Sequence, residues 1–198
     1  MPAHSPSSEH TADSSVFRTA LRREKLAART ALDERTHAAL SARIGAHLAT
    51  LLTPLPPQTL AFCAPVRGEF DARPLASLLI DRGWLAAMPV VEAPDAAMSF
   101  RTWTPASAMN IDRHGIPIPA GRQTICPDIV LLPLVAFDTQ GFRLGYGGGY
   151  FDRTLAALVP RPLAIGVGFE LARVADIRPQ AHDMSLNMVV TEAGIERY

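Results

Sequence analysis

Residues 128–158 read D-I-V-L-L-P-L-V-A-F-D-T-Q-G-F-R-L-G-Y-G-G-G-Y-F-D-R-T-L-A-A-L. Asp128 to Leu132 is a short apolar run of the kind that fills a buried strand, and Pro133 closes it. Tyr150 to Leu158 carries a helical pattern instead, with Phe151, Leu155 and Leu158 spaced for one face. The connection between them is longer than the usual link between a strand and a helix, and long ordered loops in compact domains are more often functional than decorative. Its last part, Arg143 to Asp152, has glycines at 145, 147, 148 and 149. Backbone without side-chain bulk lets N–H groups approach an oxyanion, with the positive end of the next helix facing it. Arg143 opens this run with a cation that can pair with phosphate oxygens, and Asp152 closes it with the hard oxygen that Mg²⁺ prefers. The run lacks the Gly-Lys-Ser/Thr ending of a P-loop, and Tyr150 stands where the last glycine of G-x-G-x-x-G would be. A phosphate cradle and a plain glycine-rich turn both remain open on the residues alone.

Outward from this unit, strand and helix signals alternate. On the C-terminal side, Leu163 to Gly168 reads as a buried strand and Met188 to Thr191 as a last short one. On the N-terminal side, Val16 to about Arg29 reads as a helix on which Arg18, Arg22, Lys25 and Arg29 share a face. That face is either solvated surface or a grip on phosphate. Asp33 is placed to cap a second helix, whose Leu40, Ile44, Leu48 and Leu51 form an apolar stripe. Prolines at 54, 56 and 57 end that helix and lead into a strand from Thr59 to Cys63. A third helix is expected from Pro74 to about Arg82, with Gly83 beyond its end. Strands are expected over Trp84 to Val91 and Met98 to Trp103, the second alternating and half exposed. The order predicts an α/β fold: a single three-layer domain, residues 16–198, with a central mostly parallel sheet flanked by helices.

Composition bounds the function. The chain has 198 residues, a length for one domain, and its formal net charge is zero. Nothing therefore favours nucleic acid or an anionic membrane as partner, and any anion site must be local. Residues 1–15 are polar, lack the apolar stretch of a secretory leader, and are expected to form a disordered tail. No segment has the length and apolarity of a membrane span. Cys63 and Cys126 are too few for a disulfide scaffold and lack metal-site spacing, which fits a reducing cytoplasm.

The stretch from Pro133 to Arg153 resembles the signature of the 5-formyltetrahydrofolate cyclo-ligases, also called methenyltetrahydrofolate synthetases. The resemblance extends more weakly to the N-terminal basic helix, to F-C-A-P-V-R-G-E-F-D around Glu69, to G-I-P-I-P at 115–119 and to H-D-M-S-L-N-M-V-V-T-E at 182–192. It implies an enzyme acting on small molecules, ATP and 5-formyltetrahydrofolate, with Mg²⁺ as cofactor, and a monomer is expected. The rival readings are a non-catalytic regulator that binds folate or nucleotide without turnover, and a different enzyme on a similar fold, such as a sugar-phosphate isomerase, which ATP dependence would separate from a ligase.

The resemblance also implies roles for residues. Arg18, Arg22, Arg143, Leu144, Gly145, Tyr146, Gly147, Gly148, Gly149, Tyr150 and Phe151 would contact ATP, with Arg143 and Tyr150 as catalytic candidates. Ala64, Glu69, Trp103, Gly147, Gly148, Gly149 and Tyr150 would contact the folate, and Asp152 and Asp183 would hold the metal. Taken alone, Tyr150 suits core packing as well as a pterin contact, Glu69 suits a surface loop, and isolated aspartates are commonly caps. Trp103 and the Ile116–Pro119 segment suit either an apolar wall or ordinary packing. His182 suits a structural hydrogen-bonding role. The family pattern usually has Asp where this chain has Asn187, so no metal role falls on Asn187.

Overall fold

The structure is a computed structural model that describes residues 7–198. Its elements in chain order are α1 (Ser7–Thr30), α2 (Glu34–Leu52), β1 (Thr59–Ala61), α3 (Arg73–Ile80), β2 (Leu85–Val90) and β3 (Ser99–Trp103). A hairpin follows from β4 (Met109–Ile111) and β5 (Pro117–Pro119), then β6 (Ile129–Pro133), and a second hairpin from β7 (Ala136–Phe137) and β8 (Arg143–Leu144). The chain ends with α4 (Tyr150–Ala157), β9 (Leu163–Val167), β10 (Met188–Thr191) and β11 (Gly194–Arg197). No described helix is long and apolar enough to cross a membrane.

One seven-stranded sheet, in the order β11-β10-β9-β6-β1-β2-β3, forms the middle layer. The five inner strands run parallel, and β3 and β11 close the two edges antiparallel. Alternation along β6 explains why its sequence is apolar throughout. Ile129 and Leu131 enter one core with Ile44 and Leu48 of α2 and Leu75 and Leu79 of α3. Val130 and Leu132 enter the opposite core with Leu155 of α4 and Phe100 of β3. A strand buried on both faces cannot alternate with polar residues. The three-layer α/β fold follows from these two cores.

Asp128 fixes where the central strands begin. Its Oδ2 accepts from Thr59 N at 2.8 Å, its N–H donates to Thr59 O at 3.0 Å, and its carbonyl accepts from Leu163 N at 2.8 Å. The starts of β1, β6 and β9 are thereby stapled together, and their C-terminal ends emerge on the opposite side. From β1 the chain moves outward to β2 and β3, then returns past β1 to β6 and onward to β9 and β10. The order reverses between β1 and β6, where Leu60 pairs with Ile129 and Ala61 with Val130. In open α/β sheets the crevice beyond such a reversal is where ligands bind.

Several boundaries differ from expectation. The first helix begins at Ser7 rather than Val16, so residues 7–15 are helical and not a disordered tail; residues 1–6 lie outside the described residues. Tertiary contacts hold this polar turn: Asp13 pairs with Arg178 at 2.6 Å, and the Arg178 guanidinium lies 4.2 Å from the centre of the Phe17 ring. Asp33 caps α2 as expected, accepting from Thr36 N at 2.9 Å. The strand expected over Thr59 to Cys63 stops at Ala61, although Phe62 N still donates to Ala87 O at 3.0 Å, and Cys63 and Ala64 then border the crevice. The two small hairpins and β11 carried no legible pattern, being two to four residues each.

Candidate active site

The crevice beyond β1 and β6 holds a cavity of about 780 Å³. The loop after β1, the glycine run, the first half of α1 and the segment around Asp183 surround it.

The glycine run reaches the cavity because the β7–β8 hairpin delivers it there. Asp138 organises the hairpin turn, its Oδ1 accepting from Gln140 N and Phe142 N, each at 3.0 Å. Gly141, at φ +82°, sits under the Tyr198 ring where a Cβ would approach to 2.6 Å. Leu144 then pairs with Ala136, and the chain enters the run at Gly145. Gly147 (φ +100°) and Gly149 (φ +63°) are left-handed, which favours glycine, and Gly149 caps α4. The N–H groups at the start of α4 have no earlier carbonyl partners within the helix, so the end that faces the cavity suits an anion. Arg153 braces the run from behind, donating to Gly148 O at 2.7 Å and lying 4.9 Å from the centre of the Tyr150 ring.

The shared face of α1 is its docking face. Arg18 and Arg29 are buried, and Lys25 donates to Leu171 O at 3.0 Å and Arg173 O at 3.3 Å. Arg22 Nε donates to Gly145 O at 2.8 Å, and its guanidinium carbon lies 3.5 Å from where a Cβ on Gly147 would stand. Neither a solvated face nor a bare phosphate grip describes this set. All four cations tie the helix to other parts of the chain, and Arg18 and Arg22 also line the cavity.

The expected metal ligands differ in availability. Asp183 accepts from Arg18 Nη1 at 2.5 Å and Nη2 at 3.0 Å, and also from Gln180 N at 2.6 Å. Burial opposes its charge, but the Arg18 and Gln180 hydrogen bonds and the charges of Arg18 and His182 hold the carboxyl below its ordinary range. Asp152 uses Oδ1 for both Arg143 Nη2, at 3.1 Å, and Met184 N, at 3.0 Å. Among the described residues none donates to its Oδ2. Asp152 thus keeps one oxygen suited to a hard cation, while both oxygens of Asp183 are engaged. No group of three potential metal-binding side chains is found among the described residues. Arg143 is buried, which lowers its pKa, and the Asp152 partner counters that effect.

Glu69 lines the same cavity and is buried, with its Oε2 accepting from Val66 N at 3.0 Å and its Oε1 from the Tyr146 hydroxyl at 2.6 Å. Burial raises its pKa, against the opposing effects of Tyr146, the Val66 N–H, Arg29 and Arg67. Glu69 is therefore no loop-surface residue.

Ala64, Arg143, Gly145, Tyr146, Gly147, Gly148, Gly149, Tyr150 and Phe151 line the same cavity. Leu144 does not: it is fully buried in a small cluster with Leu21, Ala136 and Ile177. Trp103 packs edge-on against Phe62 and lines a neighbouring cavity of about 650 Å³, which shares Ala64, Met88 and Pro117 with the main one. Phe151 also packs on the core beside α4. Arg67 and His114 are among the cavity residues that carried no site assignment from sequence. Arg67 is left-handed at φ +49°, and the following glycine was the only local sign of that turn. His114 lies edge-on to Tyr150 with ring centres 6.0 Å apart, and an exposed histidine in a hairpin tip has no sequence signature.

The family model described as the 5-formyltetrahydrofolate cyclo-ligase family matches residues 14–192. The chain belongs to this family of enzymes. The Escherichia coli K12 5-formyltetrahydrofolate cyclo-ligase is 30% identical over 163 residues, covering 77% of this chain and 90% of its own. The enzyme of that name from Mycoplasma pneumoniae is 25% identical over 176 residues, covering 88% and 98%. Among solved structures, the Aquifex aeolicus 5,10-methenyltetrahydrofolate synthetase aligns with a TM-score of 0.80 at 28% identity, covering 91% of this chain and 92% of that one. The Mycoplasma pneumoniae synthetase aligns at 0.72 and 27%, covering 88% and 98%. The cyclo-ligase match runs from Ser14 in α1 to Glu192 and takes in the glycine run and Asp183, so the residues named around the cavity lie inside it.

The Arg18–Asp183 pair yields a stability prediction. A carboxyl depressed in the folded state stabilises fully above its unfolded value of about 3.9 and loses that contribution as pH falls through the folded value. Asp183→Asn leaves Arg18 buried without its partner and should cost on the order of 3 kcal/mol at pH 7. Urea unfolding in the presence of a chelator should show that deficit at pH 7 and a smaller one below about pH 4.

Proposed function

We propose that this chain uses ATP to cyclise 5-formyltetrahydrofolate to 5,10-methenyltetrahydrofolate, releasing ADP and phosphate. The observation that carries this reading is one cavity that brings a glycine-rich run and several arginines together with a buried carboxylate, Glu69. The formyl group on the folate nitrogen is amide-like and a poor electrophile. Transfer of the γ-phosphoryl group to the formyl oxygen turns that oxygen into a leaving group. The neighbouring folate nitrogen then attacks the formyl carbon, the carbon–oxygen bond breaks, the nitrogen loses its proton, and phosphate departs. Because the attack is intramolecular, the protein's tasks are alignment, charge neutralisation and exclusion of water.

Each task has candidate residues. The backbone of Gly147 to Gly149 and the start of α4 suit the phosphates, with Arg22, Arg18 and Arg143 supplying positive potential. Glu69 suits the pterin edge, whose N–H groups can donate to a carboxylate. Tyr150, with Arg153 on its ring and His114 at its edge, is suited to pack against the folate. The open oxygen of Asp152 fits Mg²⁺, which ordinarily takes one or two carboxylates and completes its shell with phosphates and water. Bound there, Mg²⁺ would neutralise charge on the nucleotide phosphates. Asp183 is better suited to orienting Arg18.

The deciding assay mixes the protein with 5-formyltetrahydrofolate and Mg²⁺, adds ATP, and follows the near-ultraviolet absorbance of the conjugated methenyl product. An ATP-dependent rise is expected; ligand binding without any rise would move the reading to a non-catalytic binder. In Arg22→Ala, loss of a charged hydrogen-bond donor should raise KM for ATP about tenfold or more, with circular dichroism unchanged. Asp152→Asn should shift the Mg²⁺ dependence of turnover to higher concentration, and a Mg²⁺ titration coincident with that of the unmodified protein would remove Asp152 from the metal site.

A further inference from the structure

A single guanidinium, that of Arg29, joins the three loops at the strand-order reversal. Its side chain is 6% exposed. Nε donates to Arg67 O, in the loop after β1, at 3.0 Å. Nη1 donates to Leu134 O, just beyond β6, at 2.8 Å. Nη2 donates to the Tyr146 hydroxyl, in the glycine run, at 2.6 Å, and that hydroxyl donates onward to Glu69 Oε1 at 2.6 Å. Arg29 and Glu69 themselves stand 3.7 Å apart, so the hydroxyl is their link.

We propose that Arg29 is a positioning residue for folate recognition, acting through Tyr146 to hold the Glu69 carboxylate in register with the glycine run. This rests on the cyclo-ligase reading of the site. Three observations support it beyond simple packing. The acceptors lie on three separate segments, and a planar fork of fixed N–H directions can serve them together where an ammonium cannot. The loop after β1 is held in an unfavourable form, with Arg67 left-handed at φ +49° directly before Gly68 at φ +74°, and Arg29 Nε holds the carbonyl of that strained residue. The Tyr146 hydroxyl accepts from Arg29 and donates to Glu69, a double role that Phe lacks. Arg67 adds to the same assembly, its guanidinium 5.6 Å from the Tyr146 ring centre.

The consequence is electrostatic as well as geometric. Glu69 faces Arg29, Arg67, the Tyr146 hydroxyl and the Cys63 thiol. Burial pushes Glu69 towards its neutral form, and Arg29 and Tyr146 oppose that push. A carboxylate that must accept N–H donors from a ligand has to stay ionised. Weakening the assembly should therefore move the loss of folate binding to higher pH.

The test uses the full chain, first the unmodified protein, then Arg29→Lys and Tyr146→Phe. Turnover by the unmodified protein checks the underlying reading; the variants check this one. In Arg29→Lys, KM for 5-formyltetrahydrofolate is expected to rise about tenfold or more while KM for ATP stays within about twofold, since one or two hydrogen bonds to a charged group are lost on the folate side. The acid limb of kcat/KM for the folate should move to higher pH. Tyr146→Phe should shift the folate KM and the acid limb in the same directions, which keeps the proposal testable should Arg29→Lys fail to fold. If the unmodified protein binds without turnover, calorimetric affinities for 5-formyltetrahydrofolate and for ATP replace the two KM values. Equal losses for both ligands, or an unmoved acid limb in a folded variant, would show Arg29 to be purely structural.

Discussion

Burying a guanidinium is costly unless acceptors meet it, and the region around the cavity is organised by that constraint. Arg18, Arg29 and Arg143 are each at most 7% exposed. An unpaired buried charge costs several kcal/mol, so each must be met by carboxylates or carbonyls in fixed directions. Arg18 takes both oxygens of Asp183, Arg143 takes Asp152, and Arg29 takes two carbonyls and a hydroxyl. Among the described residues, the helix carrying two of them adds only Leu21 and Phe17 to a minor apolar cluster, apart from the two cores that pack on the sheet. Its place against the site is fixed chiefly by polar contacts, which set position more narrowly than apolar ones do. The glycine run, the loop after β1 and the Asp183 segment are thereby all referred to one helix.

This explains what sequence could and could not disclose. β6 was legible because both of its faces are core, and β10 was found over Met188 to Thr191 for the same reason, all four residues being buried. The stripe on α2 was legible because Ile44 and Leu48 pack on the sheet at helical spacing. The basic face of α1 was legible as a face, but spacing alone is the same for a solvated surface and a docked one. What distinguishes them is the position of distant acceptors such as Leu134 O and Gly145 O, which no local pattern encodes. The start of α1 was missed for a related reason: its Ser- and Thr-rich first turns have modest helix propensity, and Asp13, Ser14 and Phe17 meet Arg178, more than a hundred and sixty positions along the chain. Leu144 and Trp103 show the limit of a motif. A contiguous signature does not say which of its side chains turn inward, and the pleat of β8 sends Leu144 into the core.

Asn187 shows how a departure from the family pattern can leave the site intact. Its Oδ1 accepts from Ala164 N at 2.8 Å, and its own N–H donates to Ala164 O at 2.9 Å. Its carbonyl accepts from Tyr198 N at 3.1 Å. The side chain is a staple between the start of β9 and the segment leading into β10, and it does not line the cavity. The position calls for an acceptor oxygen, which Asn and Asp both supply. Charge is not needed there, and the side chain lies outside the cavity that Asp152 and Asp183 line.

Those two carboxylates also answer how a chain of zero net charge can gather several arginines around one cavity. Three bare arginines around one cavity would repel one another; Arg18 does lower the pKa of Arg22, alongside burial. Pairing Arg18 with Asp183 and Arg143 with Asp152 relieves that repulsion while fixing each guanidinium in place. Arg22 is the exception, held through one N–H on a backbone carbonyl and carrying no carboxylate of its own among the described residues. It therefore brings positive charge without a carboxylate partner to the glycine run. A phosphate entering there would meet N–H donors and a cation already oriented, so the proposed transfer would require little reorganisation. The same logic applies to Glu69, where burial raises the pKa, Tyr146, the Val66 N–H, Arg29 and Arg67 oppose that push, and the carboxyl is aimed by a hydroxyl and a backbone N–H rather than by close contact with a cation. A bidentate ion pair would occupy both oxygens more fully, whereas one hydroxyl on Oε1 and one N–H on Oε2 leave acceptor capacity on each.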